Sequence, residues 1–373
     1  MPTQNTDLSG DTYGILYGAS GVTWKIAKGV SVSGTEAGVA GTFADSTLVN
    51  KGTIGGGFGG GGVVFGPGLA PGDFLIKNQK SGRIAESFGI IVGGFDGSVT
   101  LKNKGRIDGA NAAFDASGSG AVTVLNSGQI TAQLHGLRIS FSTSESGADI
   151  DNTGTIKSAG VGILAYSLEG ARVAVHNHKG ALIEGSGGAG AIGVNERLVL
   201  KNEGKIKGNI ESGNFADKIV SSGKIKGDMF LGSGDDKLVL KGKGKVTGLI
   251  DAGPGNDKVV FGKAADKFLF DSGLDAATNV KTFKNFASGK DKLFLDLDIF
   301  TTLTPGKLLA SEYRQGKEAK DADDRIIYDK KTGALYYDPD GSGGVAQTKF
   351  AQLEKGTKLK ASDFTAGEFS IAS

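Results

Sequence analysis

Short segments in which apolar and polar residues alternate recur through the first two thirds of the chain, separated by turns of glycine, serine and asparagine. Alternation with a period of two places every second side chain on one face, which is typical of a half-buried β-strand. Each recurring unit also has a middle segment, such as residues 136–139 or 162–165, and therefore contains three short strands.

One phrase, Asn-x-Gly-x-Ile, follows an apolar strand in each unit and defines the repeat. Copies begin at Asn50, Asn78, Asn103, Asn126, Asn152, Asn177 and Asn202, with padding in the second and sixth copies and a degenerate copy at residues 221–225. A repeat of about 24 residues with three strands predicts one rung of a right-handed parallel β-helix. About eight or nine such rungs would stack around inward-facing valine, isoleucine and leucine side chains that no single rung could bury alone.

The repeated polar residues suggest how the rungs join. The asparagine predicts a ladder in which each side-chain amide bonds to the next, and we interpret this ladder as structural rather than as a binding site. The glycine two residues later is expected to adopt a positive φ at a bend. Residues 55–62 are almost entirely glycine and are expected to leave the rung as an excursion.

Composition narrows the functional classes. Glycine accounts for 64 of 373 residues without a three-residue period, which excludes a collagen triple helix. The 42 basic and 40 acidic residues are mixed along the chain, so no basic cluster points to nucleic acid. The apolar runs are far shorter than the roughly 20 residues of a membrane span, and the absence of cysteine excludes disulfides and thiolate metal sites. The polar N-terminus lacks the plan of a signal peptide, so the protein either stays inside the cell or leaves by a route not encoded there.

Near residue 208 the repeat gives way to acidic glycine loops. Residues 231–239 and 252–260 fit the nonapeptide G-G-x-G-x-D-x-U-x except at its first position, and weaker copies occupy residues 212–220 and 261–269. Glycines let backbone carbonyl groups point inward, and the aspartate supplies a hard oxygen ligand. Ca²⁺ needs six to eight oxygens, more than one loop provides, so two loops stacked one rung apart would share an ion. The candidate ligand residues are Gly232, Gly234, Asp235, Asp236, Gly253, Gly255, Asn256, Asp257 and, at a weaker second site, Asp217. The alternative is that these loops are ordinary turns of the same solenoid.

These nonapeptides resemble the haemolysin-type calcium repeats of the repeats-in-toxin (RTX) family. Residues 280–286 and 289–295 resemble the strand pair that closes such modules, and residues 324–329 and 333–344 resemble the hairpins that follow. The end of the chain, residues 359–364 with a short apolar and hydroxyl tail, looks like a C-terminal type I secretion signal. The resemblance implies calcium as cofactor, the type I secretion machinery as a partner, and export to the outside of a Gram-negative cell.

These observations together predict an all-β protein in three parts. Residues 1–207 would form the parallel β-helix, residues 208–270 a short calcium-binding β-roll, and residues 271–373 a β-rich secretion and capping domain. We expect a secreted structural, adhesive or matrix protein whose folding is completed by extracellular Ca²⁺ and which binds a cell-surface or extracellular polysaccharide.

The rival hypothesis is an enzyme, because polysaccharide lyases and epimerases that act on anionic glycans also use parallel β-helices. No carboxylate cluster in the sequence marks a catalytic site, so the prediction is a protein without enzymatic activity. His176 and His178 lie on the ladder turn, where a period of two puts both on one face. A two-histidine metal site is conceivable, but we favour two surface imidazoles because no acid from the same stretch completes a ligand set.

Overall fold

The computed structural model describes residues 1–42, 45–57, 60–66, 72–167, 170–187 and 190–369. The chain divides into two compact units, Met1–Asn209 and Ile210–Ser373. The expected excursion over residues 55–62 is wrong for its two ends, because Thr53–Gly56 and Gly61–Phe65 are strands. Residues 58 and 59 of that segment and residues 370–373 of the terminal tail lie outside the described residues. The boundaries of the three expected parts stay predictions.

The first unit consists of short strands in chain order. They are β1 Thr3–Gln4, β2 Leu8–Gly10, β3 Tyr13–Tyr17, β4 Thr23–Ile26, β5 Ser31–Gly34, β6 Ala37–Gly41, β7 Ser46–Asn50, β8 Thr53–Gly56, β9 Gly61–Phe65, β10 Phe74–Asn78, β11 Arg83–Phe95, β12 Ser98–Asn103, β13 Arg106–Gly118, β14 Ala121–Asn126, β15 Gln129–Ala132, β16 His135–Phe141, β17 Gly147–Asn152, β18 Thr155–Ser158, β19 Val161–Tyr166, β20 Arg172–Asn177, β21 Leu182–Glu184, β22 Ile192–Val194, β23 Arg197–Asn202 and β24 Lys205–Lys207.

The second unit also consists mainly of short strands. Its strands are β25 Ile210–Ser212, β26 Lys218–Ser221, β27 Lys224–Lys226, β28 Met229–Phe230, β29 Lys237–Leu240, β30 Lys245–Val246, β31 Leu249–Asp251, β32 Lys258–Val260, β33 Lys267–Phe270, β34 Lys281–Lys284, β35 Lys292–Asp296, β36 Gly306–Lys307, β37 Tyr313–Gln315, β38 Ile326–Asp329, β39 Ala334–Tyr337, β40 Thr348–Gln352 and β41 Phe364–Gly367. A single turn of 3₁₀-helix, Ala361–Asp363, precedes β41. No helix among the described residues is long and apolar enough to cross a membrane.

Strands of the first unit stack in three parallel columns, which confirms the predicted parallel β-solenoid and its three strands per repeat. The first column runs β1, β4, β7, β10, β12, β14, β17, β20, β23. The second runs β2, β5, β8, β11, β13, β15, β18, β21, β24. The third runs β3, β6, β9, β11, β13, β16, β19, β22. In β11 and β13 the second and third strands of the turn merge into one strand of 13 residues.

The repeated motif forms the inside of this unit. Asparagine side chains stack in register, each Nδ2 donating to the Oδ1 of the next turn at 2.8–2.9 Å from Asn50 to Asn202, and all are buried. The motif isoleucines from Ile54 to Ile206 are fully buried in a parallel stack. The predicted asparagine ladder is therefore confirmed, and it satisfies polar groups that burial would otherwise penalise.

The prediction that the motif glycines adopt a positive φ was wrong for most of them. Among these glycines only Gly180 adopts a positive φ, of 87°. A Cβ atom at Gly128 would lie 2.1 Å from the carbonyl oxygen of Gly105, and one at Gly154 would lie 2.2 Å from that of Gly128. Glycine is required because successive turns approach too closely for a side chain, not because the backbone bends into the left-handed region.

Strands of the second unit also stack in parallel, mainly in two columns. One runs β26, β29, β32, β34 and the other β25, β28, β31, β33, β35, β41. The two segments expected to form a closing strand pair are β34 and β35, which lie in different columns and do not pair with each other. Residues 324–329 and 333–344 were expected to form hairpins, and their strands β38 and β39 are antiparallel neighbours.

Candidate cation-binding loops

Three acidic loops stack at the start of the β26–β29–β32 column. We name residues 212–217 loop A, residues 231–236 loop B and residues 252–257 loop C. The strands that follow pair in register, Lys218 with Lys237 and Lys237 with Lys258. Because each loop ends at the residue before its strand, Asp217, Asp236 and Asp257 lie directly above one another. The structure thus brings together three of the four aspartates that the sequence selected.

Loops B and C share one backbone conformation. The φ angle is +76° at Gly232 and +65° at Gly253, and it is +134° at Gly234 and +142° at Gly255. These values lie where residues with a side chain are strained. A Cβ atom at Gly255 would also lie 1.8 Å from the carbonyl oxygen of Gly234. All four glycines are therefore fixed by geometry, as the nonapeptide pattern predicted.

The aspartates form a ladder that fixes the distance between loops. Asp236 Oδ1 accepts a hydrogen bond of 2.7 Å from the backbone N–H of Asp217, and Asp257 Oδ1 accepts one of 2.8 Å from that of Asp236. All three side chains are at most 3% exposed. One oxygen of each later carboxylate is thus used within the stack, and the second oxygen remains for another partner.

A lysine ends this ladder. Since Lys258 pairs with Thr282, Lys281 occupies the position that an aspartate occupies in each preceding turn. Its side chain is 3% exposed, and its ammonium group donates to Asp257 Oδ2 at 2.7 Å and to the carbonyl oxygen of Gly255 at 3.0 Å. It also contacts the carbonyl oxygen of Gly253 and Asn279 Oδ1. A positive charge therefore already lies in a cage of oxygens supplied mainly by loop C.

One turn earlier the corresponding carboxylate oxygen has no such partner. Asp236 Oδ2 is buried and makes no hydrogen bond among the described residues. Burial raises the pKa of Asp236 to about 8, and the negative charges of Asp217 and Asp257 add to the shift. Burial also raises the pKa of Asp257, although Lys281 opposes that effect. A buried carboxyl without a partner is costly unless it is protonated or faces a cation.

Two other predicted ligand residues, Asp235 and Asn256, form hydrogen bonds at the surface of the stack. Asp235 is exposed, and its Oδ1 accepts a 2.9 Å hydrogen bond from the backbone N–H of Asn256. Asn256 is exposed in turn and bonds to Ala277 and Val280 of the following turn. These two side chains link neighbouring turns at the exposed side of the stack.

The weak fourth copy lies on another edge. Asp266 Oδ1 accepts from the N–H of Val246 at 3.2 Å, and Asp291 Oδ1 accepts from that of Asp266 at 3.1 Å. Asp266 Oδ2 is buried without a hydrogen-bond partner, and burial raises the pKa of Asp266 to about 6. This short second ladder does not stack with loops A, B and C.

A cleft beside the loops contains acidic residues that sequence reasoning missed. Its volume is about 520 Å³, and Phe230, Pro254, Asp251 and Asp271 contribute to its lining. Burial and the neighbouring charge of Asp271 together raise the pKa of Asp251 to about 7. Neither aspartate belongs to a nonapeptide, so the sequence gives no signal for them. Only the structure shows that they lie close together in adjacent turns.

No protein-family model matches the chain, and a search of curated proteins finds no significant match. Any assignment of function therefore depends on the geometry and chemistry of the loops themselves.

Proposed function

We propose that this protein is a secreted, calcium-binding structural or adhesive protein in which Ca²⁺ completes folding by binding between loops B and C. The observation that carries the proposal is the buried ammonium group of Lys281 within the oxygens of Gly253, Gly255 and Asp257. It means that this loop conformation holds a cation.

The calcium ligands that we propose are the same oxygen set moved back by one turn. The equivalent groups of loop B are the carbonyl oxygens of Gly232 and Gly234 and the second carboxylate oxygen of Asp236. No lysine follows them in the ladder, because Asp257 occupies the position that Lys281 takes one turn later. Hard oxygen ligands of this kind suit Ca²⁺, and the adjacent loop and water would complete its six to eight ligands.

Calcium would act as a switch for folding. Without Ca²⁺, Asp236 faces the negative charges of Asp217 and Asp257 within a buried stack, so its ionised form opposes folding. Extracellular modules bind Ca²⁺ with a Kd of about 10⁻⁴–10⁻³ M, so millimolar Ca²⁺ outside the cell occupies such a site and the lower concentration inside does not. At ten times Kd, binding adds about 1.4 kcal/mol to the free energy of unfolding.

Thermal unfolding with EDTA or with about 5 mM Ca²⁺ tests the proposal. For the wild type we expect Ca²⁺ to raise the Tm by about 3–6 °C, and Mg²⁺ to raise it less because Mg²⁺ demands stricter octahedral geometry. Asp236→Asn keeps the Oδ1 acceptor but removes the charge, so its Tm should not respond to Ca²⁺.

Asp298→Asn provides the matched control, since Asp298 is an exposed aspartate of the same unit outside the loops. Its calcium response should equal that of the wild type. An unchanged Tm in the wild type, or an equal rise in Asp236→Asn, would show that the loops are plain turns.

Export is the part of the proposal that rests on the resemblance of the C-terminal segment to type I secretion signals. Expression in a host with a type I secretion system should release the full chain into the medium, and a chain without residues 359–373 should stay in the cell. Equal release of the two chains would contradict a C-terminal signal.

A further inference from the structure

Two of the three histidines of the chain lie together on the ladder turn of the first unit. His176 is in β20, and His178 follows the end of that strand. Strands β17 and β20 pair in register, so Asp151 lies beside His176 one turn earlier. Strands β20 and β23 also pair, which brings Glu203 to the other side of His176 from the following turn. Acidic groups that are 25–27 residues away in sequence thus flank both imidazoles.

A nitrogen atom of each histidine lies close to the same carboxylate oxygen. Asp151 Oδ2 lies 3.0 Å from His178 Nε2 and 3.9 Å from His176 Nδ1. The two imidazole rings stack with their centroids 3.5 Å apart and their planes 30° from parallel. One ligand atom from each of these three residues lies within 4.8 Å of the others. The side chains are 28–45% exposed, so a solvated ion can reach them.

We propose that Asp151, His176 and His178 bind a divalent transition metal ion of the Zn²⁺ type. Tetrahedral Zn²⁺ has bonds of about 2.0–2.2 Å, which place its ligand atoms roughly 3.3–3.5 Å apart. The observed separations of 3.0 and 3.9 Å bracket that value, and rotation of the two imidazoles out of their stack would turn both nitrogens toward one ion. Two imidazoles and one carboxylate suit Zn²⁺ and disfavour Ca²⁺, which prefers oxygen. Water would fill the fourth position.

Glu203 would orient one of the ligands. Its Oε2 lies 3.4 Å from His176 Nε2, so it can accept the Nε2–H hydrogen bond and leave Nδ1 deprotonated toward Asp151. Lys201 Nζ lies 2.8 Å from the other carboxylate oxygen and holds Glu203 in place. A carboxylate behind a metal-binding imidazole fixes its tautomer and raises its basicity. Glu203 is therefore a positioning residue and not a ligand.

This site shares no residue with the calcium loops, because all of its residues belong to the first unit and the loops belong to the second. Its test is a calorimetric titration of Zn²⁺ into the metal-stripped full chain at about pH 7.5, above the ordinary histidine pKa of about 6.5. We expect one Zn²⁺ per chain, which excess Ca²⁺ does not displace. His176→Gln and His178→Gln should each weaken binding at least about tenfold, since each removes a ligand.

His135→Gln is the matched control, because His135 lies in a different column and outside the cluster. It should bind Zn²⁺ as the wild type does. Glu203→Ala should weaken binding about tenfold and Glu203→Gln less, because glutamine can still accept the Nε2–H bond. Nitrogen-15 chemical shifts of His176 should show metal on Nδ1 and a proton on Nε2.

Two results would overturn the proposal. One is the absence of stoichiometric Zn²⁺ binding by the wild type. The other is equal Zn²⁺ affinity of His176→Gln, His178→Gln and His135→Gln, with circular dichroism confirming that all three are folded.

Discussion

At the scale of single residues, Lys281 decides how the acidic ladder ends. It stands 24 positions after Asp257, outside any nonapeptide, and its local sequence resembles that of an ordinary strand start. Only the register of β32 and β34 shows that it takes the position of a ladder aspartate. The sequence therefore predicted the aspartates and glycines of the loops but could not predict the cation that neutralises the last of them.

Replacing Lys281 with methionine should uncover this role. Lys281→Met leaves Asp257 Oδ2 buried without its partner, so in EDTA the free energy of unfolding should fall by about 3–5 kcal/mol. Calcium should recover part of that loss, because the vacated oxygen cage can then accept Ca²⁺. Chemical denaturation with and without Ca²⁺ measures both effects. Lys258→Met, at an exposed strand start, is the control. Equal destabilisation of the two variants would contradict the assigned role.

At the scale of the structural element, the turns of the first unit from Asn50 to Asn202 are held by an isoleucine stack and an asparagine ladder. Both could be predicted, because a repeated residue at a fixed strand position must stack when strands pair in parallel. The role of the motif glycines could not be predicted in the same way. The spacing shows that glycine recurs. Only the structure shows why Gly128 cannot carry a side chain, because a Cβ atom there would lie 2.1 Å from the carbonyl oxygen of Gly105.

An alanine in the middle of the ladder should destabilise the first unit. The amide of Asn126 accepts from Asn103 Nδ2 at 2.8 Å and donates to Asn152 Oδ1 at 2.8 Å. Asn126→Ala leaves both neighbours short of a buried partner, which should lower the free energy of unfolding by about 2–4 kcal/mol. Denaturation followed by circular dichroism checks this value. Asn111→Ala, at an exposed position of β13, should change stability little, and a comparable loss there would argue against the ladder.

At the scale of the whole molecule, the buried carboxyls tie stability to pH. Burial raises the pKa of Asp236 to about 8, that of Asp251 to about 7 and that of Asp266 to about 6. In the unfolded chain an aspartate has a pKa near about 3.9. Between these values the folded chain binds more protons than the unfolded chain, so the free energy of unfolding falls as pH rises. Asp73 has the opposite effect, because hydrogen bonds lower its pKa. Its contribution to the free energy of unfolding is therefore lost as pH falls below about 4.

Calcium-free protein should accordingly be most stable in mildly acidic buffer. We expect its Tm to decline from about pH 5 to pH 8, since the three raised carboxyls ionise over that interval. Added Ca²⁺ should reduce the decline, and Asp236→Asn should flatten its upper part without calcium. Scanning calorimetry over this pH series measures all three curves. A Tm that rises toward pH 8 in EDTA would be incompatible with the buried carboxyls described above.

Because Lys281 ends the acidic ladder, additional turns could be inserted ahead of it during evolution. Residues 236–256 form a repeat of 21 residues, because Asp236 and Asp257 occupy equivalent positions of adjacent turns. A tandem duplication of that segment would add one complete turn ahead of Lys281 and leave the terminating contacts unaltered. Each duplication would create one more gap between acidic loops, so calcium capacity could grow in whole steps from a single genetic event.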